Sequence, residues 1–139
     1  MNTNRAKLEW NEKYSVGVEL IDNQHKVMFA TINDLIDAID ATPTKEVLRS
    51  IIDKLVEYKR FHFVTEEKYF REFAYAGTED HIAKHQMFDT MLTKLQEESG
   101  DDTIMLAFGL VDFLEDWLVN HLMTADQAYK ECFMKHGLK

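Results

Sequence analysis

Residues 61–67 read Phe61-His62-Phe63-Val64-Thr65-Glu66-Glu67, in the second half of a long segment that runs from about 44 to 73. At about 100° per residue, a helix sets positions four apart one turn above each other, so His62 and Glu66 project from the same face. An imidazole and a carboxylate stacked this way can grip one metal ion or two adjacent ones. The same spacing arises by chance on many solvated helices. Its meaning therefore depends on what else in the chain faces inward at that height.

Working outward, the segment containing His62 carries Val47, Leu48, Ile51, Leu55, Tyr58, His62, Glu66 and Tyr69 or Phe70 on one face. Thr42-Pro43 reads as its start signal, a capping hydroxyl followed by Pro at the first helical position. Upstream, Ile21, His25, Met28, Phe29, Ile32, Leu35, Ile36 and Ile39 follow an i, i+3, i+4, i+7 pattern that predicts an amphipathic helix. Downstream, Thr78 offers an N-cap for a third helix with His81, His85, Phe88, Met91 or Leu92, and Leu95 inward, ending at Gly100. Asp101, Asp102 and Thr103 supply capping oxygens for a fourth, with Ile104, Ala107, Val111, Leu114, Leu118, His121, Leu122, Ala125 and Tyr129 inward. Residues 1–18 lack a helical period and carry scattered apolar residues, as an extended arm laid over the domain would.

Helices of about 19–41, 43–73, 79–99 and 102–133, joined by short loops, predict an all-α, antiparallel up-down-up-down four-helix bundle with an extended N-terminal arm. The 139 residues suffice for one domain spanning 1–139, with a single core and no staples. The net charge of −9 disfavours nucleic acid and anionic membrane as partners. The lone Cys132 excludes an internal disulfide and fits a reducing compartment. No apolar run reaches the roughly 20 residues of a membrane span, and the first ten residues lack a signal-peptide apolar stretch. A cytoplasmic location and a monomer are the expectations.

Five of the six histidines, His25, His62, His81, His85 and His121, fall on core faces together with Glu66, and Asp126 lies just beyond the last. One core histidine is usually a hydrogen-bonded packing residue. Five with two carboxylates are harder to satisfy, because unpaired buried polar and charged groups cost several kcal/mol each. Bound metal removes that objection. Heights can be tested, because in an antiparallel pair two residues are level when the turn falls midway between them. The midpoint of His25 and His62 falls at Pro43, that of Glu66 and His85 near Ala76, and that of His85 and His121 at Thr103. All three coincide with independently identified turns, so the seven residues form one layer. His121 and Asp126 are five apart, which an ideal α-helix separates by about 140°. Either they flank a wide inner face or a π-type irregularity brings them together.

Seven ligands exceed the four of a mononuclear zinc site, and bridging carboxylates favour a pair of ions. There is no HExxH, CxxC, GxGxxG or GxSxG, nor the Glu-x-x-His pair of carboxylate-rich di-iron bundles.

The series His25, His62-x-x-x-Glu66, His81-x-x-x-His85, His121-x-x-x-x-Asp126 resembles the hemerythrins, most closely the single-domain bacteriohemerythrins. The likeness runs from Trp10, Gly17-Val18 and Ile21-Asp22-x-Gln24-His25 through Trp117-Leu118-x-x-His121 to Tyr129. Tyr75-Ala76 stands where the family frequently has Tyr-Pro, a change confined to a loop. The family includes a standard example of the up-down bundle, so the resemblance and the helix count are not independent evidence for the fold. What the resemblance implies is a non-haem di-iron centre that binds O2 reversibly. His81, His85 and His121 would hold one iron and His25 and His62 the other, with Glu66, Asp126 and a solvent-derived hydroxo or oxo group as bridges. The second iron then keeps one open position, where oxygen would take one electron from each iron and be held as a hydroperoxide.

Neutral imidazoles donate less charge than carboxylates and stabilise highly oxidised iron poorly, which favours carrying oxygen over activating it. Met28, Phe29, Trp117, Leu118, Leu122 and Met123 are the expected apolar wall of the oxygen pocket, although Met28 and Met123 read equally well as ordinary core filling. The expected protein is thus not an enzyme. Its competitors are a di-iron enzyme acting on peroxide, nitric oxide or iron, and a structural bundle holding zinc or a single iron. Glu67 is expected to point away from the metals, with an outer hydrogen bond to a ligand as the alternative, and His136 to be solvated.

Overall fold

A computed structural model describes residues 5–139. Four rods make up the bundle: α1 (Glu19–Asp40), α2 (Lys45–Glu72), α3 (Thr78–Ser99), and a fourth that begins as α4 (Thr103–Trp117). The fourth rod continues through a π-helical segment (Leu118–Ala125) into α5 (Asp126–Ala128) and α6 (Lys130–Lys135). There is no strand among the described residues. α1 packs on α2 and on α4, and α3 packs on α4 and on α2, which closes the four-helix ring.

The helix ends follow from local chemistry. α2 begins later than Thr42-Pro43 predicts: Thr44 is the N-cap and its hydroxyl accepts from Val47 N–H at 3.2 Å. Thr42 instead turns the chain at φ 70°, and Pro43 is buried ahead of the cap. Asp102 caps α4 by accepting from Met105 N–H at 3.0 Å. Thr78 is the first residue of α3 rather than its cap, and its hydroxyl donates to the Tyr75 carbonyl at 2.6 Å. Gly100 ends α3 at φ 53°, where a side chain would be strained.

Every residue of the expected inward face of α1 is buried. The periodicity overreaches only near rod ends: Val47 and Ile104 are exposed, and of the Met91/Leu92 pair it is Leu92 that is buried. A Cβ at Gly109 would lie 2.8 Å from Leu95 Cδ2, so the glycine marks a close approach of α4 to α3. Two apolar clusters result. The larger includes Leu35, Leu55, Phe88 and Leu114. The smaller, at the opposite end, is Val16, Val18, Ile21, Phe70, Tyr129 and Phe133.

The arm differs from a plain extended strap, since Glu12–Tyr14 forms a turn of 3-10 helix; residues 1–4 of it lie outside the described residues. It is fastened by paired contacts. Leu8 N–H donates to Asn33 Oδ1 at 2.7 Å while Asn33 Nδ2 donates to the Leu8 carbonyl at 2.9 Å. Trp10 and Tyr14 meet the Phe29 ring edge-on. Arg5 pairs with Asp112 and Glu115 on α4. Asp22 takes the Ser15 hydroxyl at 2.5 Å and Val16 N–H at 2.8 Å, which sets Val16 and Val18 into the smaller cluster. No helix of the described residues is long and apolar enough to cross a membrane.

Charge-assisted hydrogen bonds of this kind set the size of the Asp22 effect. Asp22→Ala is expected to lower unfolding free energy by about 1 to 3 kcal/mol in urea titration, whereas an unchanged midpoint would show that the arm is held elsewhere.

Candidate metal centre

Between the two apolar clusters lies a polar layer. α1 supplies His25; α2 supplies His62 and Glu66; α3 supplies His81 and His85; the π segment supplies His121, and α5 opens with Asp126. All seven are at most 3% exposed. Tyr58, Phe63 and Trp117 flank the layer from the larger cluster, Phe70 and Tyr129 from the smaller.

The π segment answers how residues five apart can share a face. Asp126 N–H bonds the His121 carbonyl, a five-residue step, and the Thr124 hydroxyl bonds the Val119 carbonyl in the same register. In that register, side chains five apart stack as those four apart do in an α-helix. His121 Nε2 and Asp126 Oδ1 are accordingly 3.0 Å apart.

All five imidazoles turn Nε2 to the centre. Asp126 divides its oxygens: Oδ1 lies 2.9 Å from His81 Nε2 and 3.0 Å from His121 Nε2, while Oδ2 lies 2.9 Å from His25 Nε2 and 3.7 Å from His62 Nε2. Glu66 Oε1 is 3.0 Å from His85, 3.1 Å from His62 and 3.5 Å from His81. Two donor sets emerge, Glu66 with His81, His85 and His121, and Glu66 with Asp126, His25 and His62; in each, the donor atoms lie within 4.8 Å of one another.

The directions of these atoms matter as much as the distances. His81 Nε2, His121 Nε2 and both Asp126 oxygens have no hydrogen-bond partner despite the short separations. His25 Nε2 and His62 Nε2 face each other at 3.1 Å. Lone pairs turned toward a shared space, and not along each other's N–H axes, fit donors that surround a cation.

The outer nitrogens fix the tautomers. His62 Nδ1 lies 2.8 Å from Gln24 Oε1, and Gln24 Nε2 in turn donates to Thr65 Oγ1 at 3.1 Å, which orients the amide. His85 Nδ1 lies 3.0 Å from Glu67 Oε2. An Nδ1–H given to these acceptors leaves Nε2 with its lone pair inward, as ligation requires. Ring stacking holds the rotamers: Phe63 on His85 at 3.7 Å and Trp117 on His121 at 3.9 Å.

Of the two readings of Glu67, the structure takes the outer hydrogen bond, with its carboxylate on His85 Nδ1 and not among the central donors. Gln24 and Tyr58 had no assigned role beyond their place in a run or stripe. The midpoint test that levels the seven would also have levelled Gln24 with His62 and Glu67 with His85. Of the expected pocket wall, Met28, Leu118 and Leu122 are buried and Trp117 stacks on His121. Phe29 is buried too, but its ring partners are Trp10 and Tyr14 of the arm. Met123 does not line a buried wall: it is 38% exposed. His136 is exposed and stacks on Phe73.

Burial pushes the Glu66 and Asp126 carboxyls up, as does their mutual repulsion for Glu66, yet the surrounding imidazoles hold both well below the usual carboxylate range. Burial likewise pushes His62 and His81 down, but Glu66 and Asp126 outweigh it and raise each to about 9. For His121 burial wins, and its pKa is lowered. Without metal, two imidazolium ions thus offset two buried carboxylates.

Comparison with known proteins agrees with this arrangement. The family model described as "Hemerythrin HHE cation binding domain" matches residues 16–133. A bacteriohemerythrin of Stenotrophomonas maltophilia is 29% identical over 133 residues, covering 94% of this chain and 84% of that protein. One from Methylococcus capsulatus is 29% identical over 128 residues, with 91% and 97% covered. A myohemerythrin of Theromyzon tessulatum is 29% identical over 122 residues, with 88% and 90% covered.

A pH dependence follows for the metal-free protein. His62 and His81 stay protonated in the fold up to about pH 9, whereas an unfolded chain releases those protons near 6.5. Their stabilisation is complete below 6.5 and is lost as pH rises through about 9. His121, lowered by burial, opposes the trend only near pH 6.5, where the unfolded chain still holds part of its proton. The Tm of chelator-treated protein is expected to fall steadily from pH 6.5 to 9; a flat profile would mean that the two imidazoles do not carry the compensating charge.

Proposed function

The chain belongs to the hemerythrin family, and from that premise we propose that it binds O2 reversibly at a non-haem di-iron centre, for oxygen storage, delivery or sensing. In this reading His81, His85 and His121 would hold one iron and His25 and His62 the other, with Glu66 and Asp126 as the carboxylates shared between them. The observation that carries it is the division of Asp126, one oxygen beside His81 and His121 and the other beside His25 and His62. A single metal would not need a carboxylate split between two imidazole groups, while a pair of ions does. Glu66, common to both donor sets, supports the same count.

When bound, two ferrous ions supply the two electrons that O2 accepts on binding and returns on release. The rest is the work of the side chains. Three imidazoles belong to one donor set and two to the other, so a small ligand would be accommodated beside His25 and His62 rather than beside His121. Gln24 and Glu67 hold two of the rings in the ligating tautomer and raise their basicity. Met28, Leu118 and Leu122 exclude water around the layer, which slows proton-assisted loss of the bound ligand. The predominance of imidazole over carboxylate disfavours O–O cleavage, so the reading is a carrier and not an enzyme.

The test is an anaerobic sample reconstituted with ferrous iron, exposed to O2 and purged in repeated cycles. A visible charge-transfer band that appears and vanishes with each cycle is expected, with two irons per chain. Irreversible turnover would indicate a di-iron enzyme, and one metal without a band a structural bundle. Glu66→Ala should lose a metal outright, whereas Glu67→Ala should keep both positions and weaken iron affinity by roughly 10- to 100-fold through His85. Equal losses in the two variants, read by competition with a chelator, would contradict the division of roles.

A further inference from the structure

Two buried phenols border the layer with hydroxyls that neither the ligand set nor the packing uses, Tyr129 beside His81 and Tyr58 beside His62. Tyr58 of α2 is 4% exposed and stacks on His62 at 4.9 Å with an interplanar angle of 27°. Trp117, on the opposite rod, stacks on His121. The Tyr58 hydroxyl and Trp117 Nε1 are both buried without a hydrogen-bond partner among the described residues. The indole nitrogen can only donate. Even if it is given to the phenol oxygen, the phenol's own hydrogen is left over, and neither Glu66 nor Asp126 is bonded to it. The Tyr58 hydroxyl is therefore a buried donor without an acceptor, carried on the ring that stacks on His62, a member of the donor set with only two imidazoles.

Leaving a buried hydroxyl unmade is unfavourable, and phenylalanine would fill the same volume without that cost. We propose that Tyr58 donates a hydrogen bond to a small anionic ligand held beside His25 and His62, so that this pocket recognises ligands whose outer atom is an acceptor. The inference rests on the two-metal reading above. It makes the pocket selective: a small anion with lone pairs on its far end gains the Tyr58 contact, and a neutral ligand with a poor terminal acceptor does not. Stacking on His62 fixes the ring, so the hydroxyl is preorganised and little entropy is lost on binding.

Tyr58→Phe tests this, with azide as the probe and two readouts. In iron-loaded, oxidised protein, optical titration should show azide bound about tenfold or more weakly by the variant, at the same iron content as the unsubstituted chain. In metal-free protein, the variant should melt at the same temperature or higher, because the hydroxyl has no partner to lose. Normal iron content with unchanged azide affinity would overturn this inference alone and assign the hydroxyl to an internal water. A lower metal-free Tm would also overturn it, by revealing a protein partner. An unsubstituted chain that fails to take up two irons would overturn the two-metal reading, and this inference with it.

Discussion

Two carboxylates, Glu66 and Asp126, sit at zero exposure in the middle of the bundle, and both are ionised. No Lys or Arg among the described residues pairs with either. Buried charge of this kind persists only beside positive charge. The fold can provide it in two ways, as imidazolium in the metal-free chain or as metal cations with neutral imidazoles. Much of the architecture serves that substitution of cations for protons: five rings presented by the same nitrogen, outer acceptors that fix tautomers, and aromatic faces that hold the rings in place.

The layer also explains a local irregularity. A continuous α-helix through residues 118–125 would swing Asp126 out of line with His121, so one carboxylate would be lost from the centre. The π segment removes the conflict at the cost of poorer backbone geometry. The arm acts at the other end of α1: Asp22 ties it down three residues from His25, so the seating of Val16 and Val18 and the position of the first histidine are mechanically linked.

The fold was legible because α1, α2 and α3 obey a 3.6-residue period and the turns between rods are short. The level of the seven polar residues was legible for the same reason, since antiparallel rods convert sequence midpoints into heights. What the sequence left open was set by interactions it does not encode locally. Periodicity could not choose between a wide inner face and a π register at His121 and Asp126. It misjudged Val47 and Ile104, where rod ends escape the core, and it could not decide between an outward Glu67 and an outer hydrogen bond, because adjacent residues normally diverge by about 100°. The long carboxylate arm of Glu67 nevertheless reaches His85 Nδ1. Tyr58 read as an apolar stripe member because its ring is one; only three dimensions reveal that its hydroxyl is left without an acceptor.

Anomalous diffraction from crystals of the iron-loaded protein tests the central claim most directly. Two peaks about 3.5 to 4 Å apart, one against His81, His85 and His121 and the other against His25 and His62 with Asp126 spanning them, are the predicted result. A single peak within the layer, or iron found only at the surface, would contradict it.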